Sequence, residues 1–265
     1  MKYSIITINL NNKVGLEKTI ESVIGQNCRD FEYIIIDGGS TDGSLEIIGK
    51  YADKINYWVS EPDEGIYNAM NKGILKAQGE YLNFMNSGDC FHSLMVLSDV
   101  WNSQKGEDML IGGCMNPETK EVHMFGQGPV SLLYLMKNTI NHQATFYRRE
   151  LFDKRLYDES YHIQSDCKFN FLSLIFDNCS VGMMNLIVAD YDYTGLSAAK
   201  PDLVEDEWQR LLHELFPERV LVDYANQFTE AELPLVRLLP RLKNSSRIQR
   251  IVYFIAERLL GFAGK

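Results

Sequence analysis

The 265 residues carry 26 Lys and Arg against 36 Asp and Glu, a formal net charge of −10, with 45% hydrophobic and 23% charged residues. That is the composition of a globular protein with a full core, and its acidity argues against nucleic acid as the main partner. There is no apolar run of the ~18 residues that a membrane span needs, no signal-peptide pattern at the N-terminus, and no CxxC spacing among the cysteines at 28, 90, 114, 167 and 179, so a cytoplasmic protein with reduced thiols is expected, without structural zinc or a disulfide framework.

Residues 2–9 are apolar and β-branched, a buried strand. Asn11 and Asn12 can cap a helix over about 13–26, with Leu16, Ile20 and Val23 at i, i+4 and i+7. FEYIII at 31–36 is a second buried strand, ending abruptly at Asp37 and the run GGSTDG. Ser44 to Tyr51 suits a helix, Ile55–Val59 a third strand, 66–77 a helix closed by Gly79, and Glu80 to Met85 a fourth strand. Strands alternating with helices predict βαβ units and a parallel sheet covered on both faces, whose ligands bind at the carboxyl ends of the strands. Beyond residue 90 the rhythm loosens. Leu94–Ser103 reads as helix, Met109–Cys114 and Ala144–Arg148 as short strands, Asp166–Phe176 as helix and 185–193 as a late strand. After Gly195 the composition changes to amphipathic helical stretches at 202–216, 229–239 and 246–260.

Three segments carry chemistry. Asp37, at a strand end and followed by glycines, can accept hydrogen bonds from a ribose or a base N–H; read alone it is equally a plain turn. Asn86-Ser87-Gly88-Asp89 follows another strand, so Asp89 is expected on the same sheet edge. A carboxylate beside a nucleotide diphosphate calls for a bridging Mg²⁺ or Mn²⁺ with oxygen ligands, although an Asx turn fits the four residues as well. The loop from Glu61 into the helix at 66 offers Asp63, Asn71 and Lys72 for base, ribose and phosphate contacts; spacing alone favours a plain exposed helix face for Asn71 and Lys72.

Taken together, SIITINLNN, IIIDGGSTDGS, SEPDEGIYNAMNKGILKAQGEYLNFMNSGD, NHQATFYRRELF and SDCKFNF resemble, in order and spacing over roughly residues 3–195, glycosyltransferase family 2. The nearest look is to bacterial enzymes that build surface polysaccharides of the colanic acid or capsule type. The resemblance implies an α/β GT-A fold, a single Rossmann-like mixed sheet flanked by helices. It implies a catalytic domain over 1–200 with a helical C-terminal extension over 201–265. It implies inverting transfer of a sugar from a nucleoside-diphosphate donor, usually a uridine one, to a saccharide or lipid-linked acceptor, with Mn²⁺ or Mg²⁺ as cofactor.

Family roles carry over residue by residue. Thr7 and Asn11 match the nucleotide-cradling segment, and Asp37 the acid that contacts the base. Asp63 and Asn71, with Lys72 beside them, match the second wall of the nucleotide pocket. Gly88 and Asp89 fall at the donor diphosphate, Asp89 as the metal-binding acid, and Asp166 matches the general base. Such a base must sit opposite the leaving diphosphate, and a carboxylate at a helix N-terminus is favoured in its ionised form. His142, in Asn141-His142-Gln143, is a candidate for touching the donor sugar or diphosphate, although a lone histidine is more often structural. Arg148 and Arg149 are candidate phosphate neutralisers or plain surface charges.

The chain departs from the family at Asn86 and Gly88, where acids are frequent, and at Leu10, where a tyrosine often stands. Two rivals follow. A catalytically inactive nucleotide-sugar-binding module is motivated by the missing acids. A nucleotidyltransferase would want a glycine-rich basic loop after the first strand, which NLNNKVG at 9–15 does not supply.

Residues 237–265 hold seven Lys or Arg and one acid, +6 against −16 for the rest. In 246–260, Ile248, Ile251, Val252, Ile255 and Leu259 fall on one helical face and Arg247, Arg250 and Arg258 off it. Such a helix can lie in an anionic membrane interface, at the inner face of the cell membrane, or pack on the acidic body or a second subunit in a homodimer.

Overall fold

The computed structural model describes residues 1–125, 128–191, 195 and 199–230. Met1–Leu211 form one compact unit, and a second begins at Leu212. The basic stretch 246–260 and nearly all of 229–239 lie outside the described residues.

The first unit begins with β1 (Tyr3–Asn9), α1 (Lys13–Ile24), β2 (Phe31–Asp37), α2 (Ser44–Lys50), β3 (Tyr57–Ser60), α3 (Ile66–Lys76) and β4 (Tyr81–Phe84). Every residue of β1 and β4 is buried, as a sheet covered on both faces requires. The Asn12 side chain accepts a hydrogen bond from Gly15 N and starts α1 where the sequence places it; Leu16, Thr19, Ile20 and Val23 form its buried face. α3 lies close against the sheet through Gly73, where an added Cβ would come within 2.5 Å of Ile6 Cγ2.

The rest comprises β5 (Cys90–Phe91), α4 (Val96–Ser103), β6 (Met109–Met115), β7 (Val122–His123), α5 (Leu132–Lys137), β8 (Thr145–Arg148), α6 (Leu151–Lys154), α7 (Ser165–Phe171), β9 (Val181–Asp190), α8 (Pro201–Leu215) and α9 (Glu218–Glu230). Among the described residues the strands make one sheet in the order β3-β2-β1-β4-β8-β6-β9-β5, with β7 on β6. The β3-β2-β1-β4 half is parallel. β8 runs antiparallel to both β4 and β6, β9 parallel to β6, and β5 antiparallel to β9. The sheet is therefore mixed: β3-β2-β1-β4 form a continuous parallel run, and β6 with β9 forms a second parallel pair among antiparallel neighbours.

Two elements differ from the sequence reading. β9 begins at Val181 rather than near 185, because Met109, Leu110 and Ile111 of β6 pair in register with Val181, Gly182 and Met183; register shifts follow on either side of Gly113, where Gly112 and Gly113 loosen the ladder. The helix expected over 166–176 holds α-helical spacing only to Phe171; Leu172–Phe176 is wider, closed by Asp177 N donating to Leu172 O at 2.9 Å.

α7 carries Asp166, and an aromatic cluster fixes it from below. Phe169 stacks on Phe152 at 4.5 Å between centroids and packs against Tyr147 and Tyr157 at 5.9 and 5.3 Å, while Phe84 of β4 meets Tyr157 at 5.5 Å. These rings tie α7 to the middle of the sheet and set the height at which Asp166 emerges.

Candidate active site

The carboxyl ends of β1 and β4 and the N-terminal ends of α3 and α7 surround a cavity of about 650 Å³. Asp63, Asp89, His142 and Asp166 all line it.

Asp166 is nearly buried and accepts three hydrogen bonds. Its Oδ1 takes one from Cys167 N at 2.9 Å and one from the Tyr67 hydroxyl at 2.9 Å; its Oδ2 takes one from His142 Nδ1 at 3.0 Å. The Tyr67 hydroxyl lies 2.5 Å from Ile163 O as well, so one proton is shared between two acceptors. Burial, then the neighbouring Asp166 charge, pushes that hydroxyl far above the ordinary tyrosine range and keeps it a donor. On the far side of the imidazole, Asn86 Nδ2 stands 3.0 Å from His142 Nε2. With the amide donating there, the ring proton sits on Nδ1 and points at Asp166.

Asp89 is held from the next residue along: Gln143 Nε2 donates to its Oδ2 at 3.0 Å. The two Asn86 side-chain atoms have unequal fates, for its Oδ1 is buried without a hydrogen-bond partner among the described residues. As a hard oxygen donor Asp89 suits a divalent cation. Among the described residues no group of three His, Cys, Asp or Glu converges.

The family model for glycosyl transferase family 2 matches residues 4–171. The chain belongs to this family. It is 32% identical over 224 residues to an uncharacterised glycosyltransferase of Mycobacterium tuberculosis, covering 81% of this chain and 85% of that one. It is also 32% identical over 203 residues to a PGL/p-HBAD biosynthesis glycosyltransferase of Mycobacterium bovis, covering 74% and 78%. Among solved structures it superposes on S. aureus TarS with a TM-score of 0.66 at 20% identity, covering 87% of this chain and spanning 44% of that longer one. TarS residues 1–349 in complex with UDP-GlcNAc give 0.63 at 19% identity, covering 94% and 78%. The mixed sheet with its flanking helices is the GT-A fold that the resemblance implied.

Within this family member, four of the ten residues singled out from the sequence line the cavity: Asp63, Asp89, His142 and Asp166. The other six are placed elsewhere. The Thr7 hydroxyl is buried between Met85 O at 2.7 Å and the Tyr33 hydroxyl at 2.9 Å and braces β1. Asp37 sits at the expected strand end but is fully buried. Its oxygens accept from Asn9 Nδ2, Ser40 N, Ser40 Oγ and Ser60 Oγ at 2.6–2.9 Å. Burial disfavours its charge, and the bonds from Ser40, Ser60 and Asn9 outweigh that and hold its pKa below the ordinary carboxyl value. It shapes the mouth from behind through Asn9, which does line the cavity.

Asn11 adopts φ +50° and accepts from Thr41 N at 2.9 Å, tying the loop after β1 to the loop after β2. Asn71 is buried, donating to Tyr157 O at 2.9 Å and accepting from Tyr157 N at 3.0 Å. Lys72 pairs with Glu61 at 2.8 Å. Gly88 donates its N–H to Thr19 Oγ1 at 3.0 Å and holds φ +111°, the turn that carries Asp89 inward. Arg148 and Arg149 are also spent, on Glu80 and Asp153.

Sequence reasoning passed over Tyr67, Asn86 and Gln143 as site side chains. Gln143 and Asn86 lay inside segments already singled out. Tyr67 reads as an ordinary apolar helix position until its hydroxyl is seen to reach Asp166.

Proposed function

We propose that this family 2 member is an inverting glycosyltransferase that moves one sugar from a nucleoside-diphosphate donor, a uridine one, to an acceptor hydroxyl. The observation that carries the reading is that Asp89 and Asp166 line the same cavity, each held by one of two consecutive residues. Asp166 takes the acceptor's proton as the acceptor oxygen forms its bond to the anomeric carbon. The bond from that carbon to the diphosphate oxygen breaks in the same displacement, and its electron pair leaves with the diphosphate. One displacement inverts the anomeric configuration. His142 and Tyr67 hold the carboxylate in place, so little reorganisation is left for the moment of reaction. A divalent cation, Mn²⁺ or Mg²⁺, would be held by Asp89 together with the donor's diphosphate oxygens and would neutralise the leaving charge.

A uridine donor is supported by TarS, whose structure holds UDP-GlcNAc. A saccharide or lipid-linked acceptor in cell-surface biosynthesis is supported by the mycobacterial relative assigned to PGL/p-HBAD biosynthesis. No helix among the described residues is long and apolar enough to cross a membrane. Peripheral contact with the inner face of the membrane is the role proposed for 246–260, on its sequence pattern alone; deleting 237–265 should abolish co-sedimentation with anionic liposomes.

The test is turnover of UDP-glucose, UDP-galactose and UDP-GlcNAc with lipid-extracted acceptors, read as UDP release with and without Mn²⁺ or Mg²⁺. Cation-dependent release supports the reading. UDP binding with no release on any donor and acceptor would instead leave a binding module.

A further inference from the structure

The segment leading into α7 is gripped from α8, a helix that the family match at 4–171 does not reach. Glu207 is 5% exposed. Its carboxylate accepts from three consecutive backbone N–H groups: Oε1 from His162 N at 2.6 Å, Oε2 from Ile163 N at 2.8 Å and from Gln164 N at 3.0 Å. His162 Nδ1 lies 3.2 Å from Oε1. One turn before it, Val204 O accepts from Gln164 Nε2 at 3.3 Å; one turn after, Arg210 reaches Ser160 Oγ at 2.7 Å and lies 4.2 Å over the Tyr161 ring. Residues at i, i+3 and i+6 share a helix face, so this face of α8 holds 160–164 at successive points.

A buried carboxylate facing three amides is a stronger constraint than a surface ion pair. Burial disfavours the charge, but the amides of His162, Ile163 and Gln164 outweigh it and hold the Glu207 pKa below its ordinary value. The bonds also satisfy donors just ahead of α7, whose own cap residue Gln164 makes no side-chain capping bond. Between the gripped amides stands the Ile163 carbonyl, which accepts the Tyr67 hydroxyl that also reaches Asp166 Oδ1. The chain of contacts thus runs from Glu207 through the backbone at 163 and Tyr67 to the reacting carboxylate. The gripped residues Tyr161, His162, Ile163 and Gln164 line the cavity themselves.

We propose that Glu207 is a positioning residue for the transfer reaction: from α8 it fixes the backbone of 162–164 and thereby the orientation of Asp166 and the acceptor side of the cavity. This rests on Asp166 being the proton acceptor. It makes α8 part of the catalytic machinery, although its residues fall in the segment that the sequence assigns to an extension.

The test uses the full chain, with UDP release from the most active of UDP-glucose, UDP-galactose and UDP-GlcNAc as the rate, and UDP binding by calorimetry as the control. In Glu207→Gln the isosteric amide turns two N–H donors toward the backbone donors, and kcat should fall about tenfold to a hundredfold, the scale of a small misplacement of a reacting group. UDP affinity should stay within about twofold of the parent, Glu207→Asp should recover part of the rate, and amide hydrogen exchange at 160–167 should quicken. A parent-like kcat in Glu207→Gln, alongside a dead Asp166→Asn, overturns the proposal and leaves the base assignment standing. Turnover by Asp166→Asn removes the base assignment and this proposal with it. If Glu207→Gln shows no cooperative melting, Arg210→Met on the exposed side of the same grip decides. A kcat lowered about threefold or more with UDP affinity retained supports the proposal, and a parent-like kcat overturns it.

Discussion

Asp89 and Asp166 are far apart in sequence, yet two adjacent side chains hold them: Gln143 donates to Asp89 at 3.0 Å and His142 to Asp166 at 3.0 Å. The short turn His142–Ala144 ahead of β8 is therefore the link between the two acids. Its placement thereby constrains where the two carboxylates sit relative to each other.

This link makes His142 a sensitive position. His142→Ala removes one charge-assisted hydrogen bond from Asp166 and leaves Asn86 Nδ2 without its partner. Hydrogen bonds to charged groups are worth about 1.5–3 kcal/mol, so kcat should fall about tenfold to a hundredfold. The double variant with Asp166→Asn should be little worse than Asp166→Asn alone, because the two act as a unit. Additive losses in UDP-release kinetics would place His142 in a separate role.

Asp37 and Asp63 should separate in their effects. Asp37 Oδ2 accepts from Ser40 N at 2.9 Å and from Gly39 N at 3.2 Å, so Asp37→Asn confronts these amides with an NH₂ group and should lower stability by about 1–3 kcal/mol, the cost of a buried unsatisfied polar group. Well below its melting temperature its UDP affinity should stay close to that of the parent. Asp63→Ala, at the cavity wall, should weaken UDP with stability nearly unchanged. Urea melts and calorimetry on the two variants check this contrast.

Acid sensitivity follows from depressed carboxyl pKa values. Although burial raises it, hydrogen bonds from Lys168 and Ser160 bring Asp158 down from 3.8 to about 2. A carboxyl whose folded pKa is depressed contributes stability that is complete above its unfolded value and is lost as pH falls through the folded one. The Asp158 contribution should therefore be intact at pH 5 and decline between about pH 4 and pH 2. Asp158→Asn should flatten that part of the stability profile, measured by denaturant melts at stepped pH.

Much of this was written locally in the chain. The parallel half of the sheet and α1 and α3 could be read because apolar runs, the Asn12 cap and the strand-ending turns act over a few residues. Asp89 and Asp166 could be placed from motif and family pattern together. The burial of Thr7, Asp37 and Asn71 could not be read, because it depends on partners such as Met85, Ser60 and Tyr157 that folding brings in from elsewhere. α9 went unread although Leu221, Tyr224, Ala225 and Phe228 recur at i, i+3, i+4 and i+7, and the start of β9 was missed because Gly182 and two methionines carry little strand signal. Glu207 had no local signal at all: one more acid on an amphipathic helix, its meaning fixed by three amides some forty residues earlier.

The most direct measurement pairs turnover with binding in Asp166→Asn. With a UDP-sugar donor, an acceptor and Mn²⁺ or Mg²⁺, the parent chain should release UDP, and the variant should lose at least about a thousandfold in rate while binding UDP with unaltered affinity, the range expected for removing a general base. An Asp166→Asn chain that turns over donor at a rate near that of the parent would contradict the assignment of the proton acceptor on which the whole account stands.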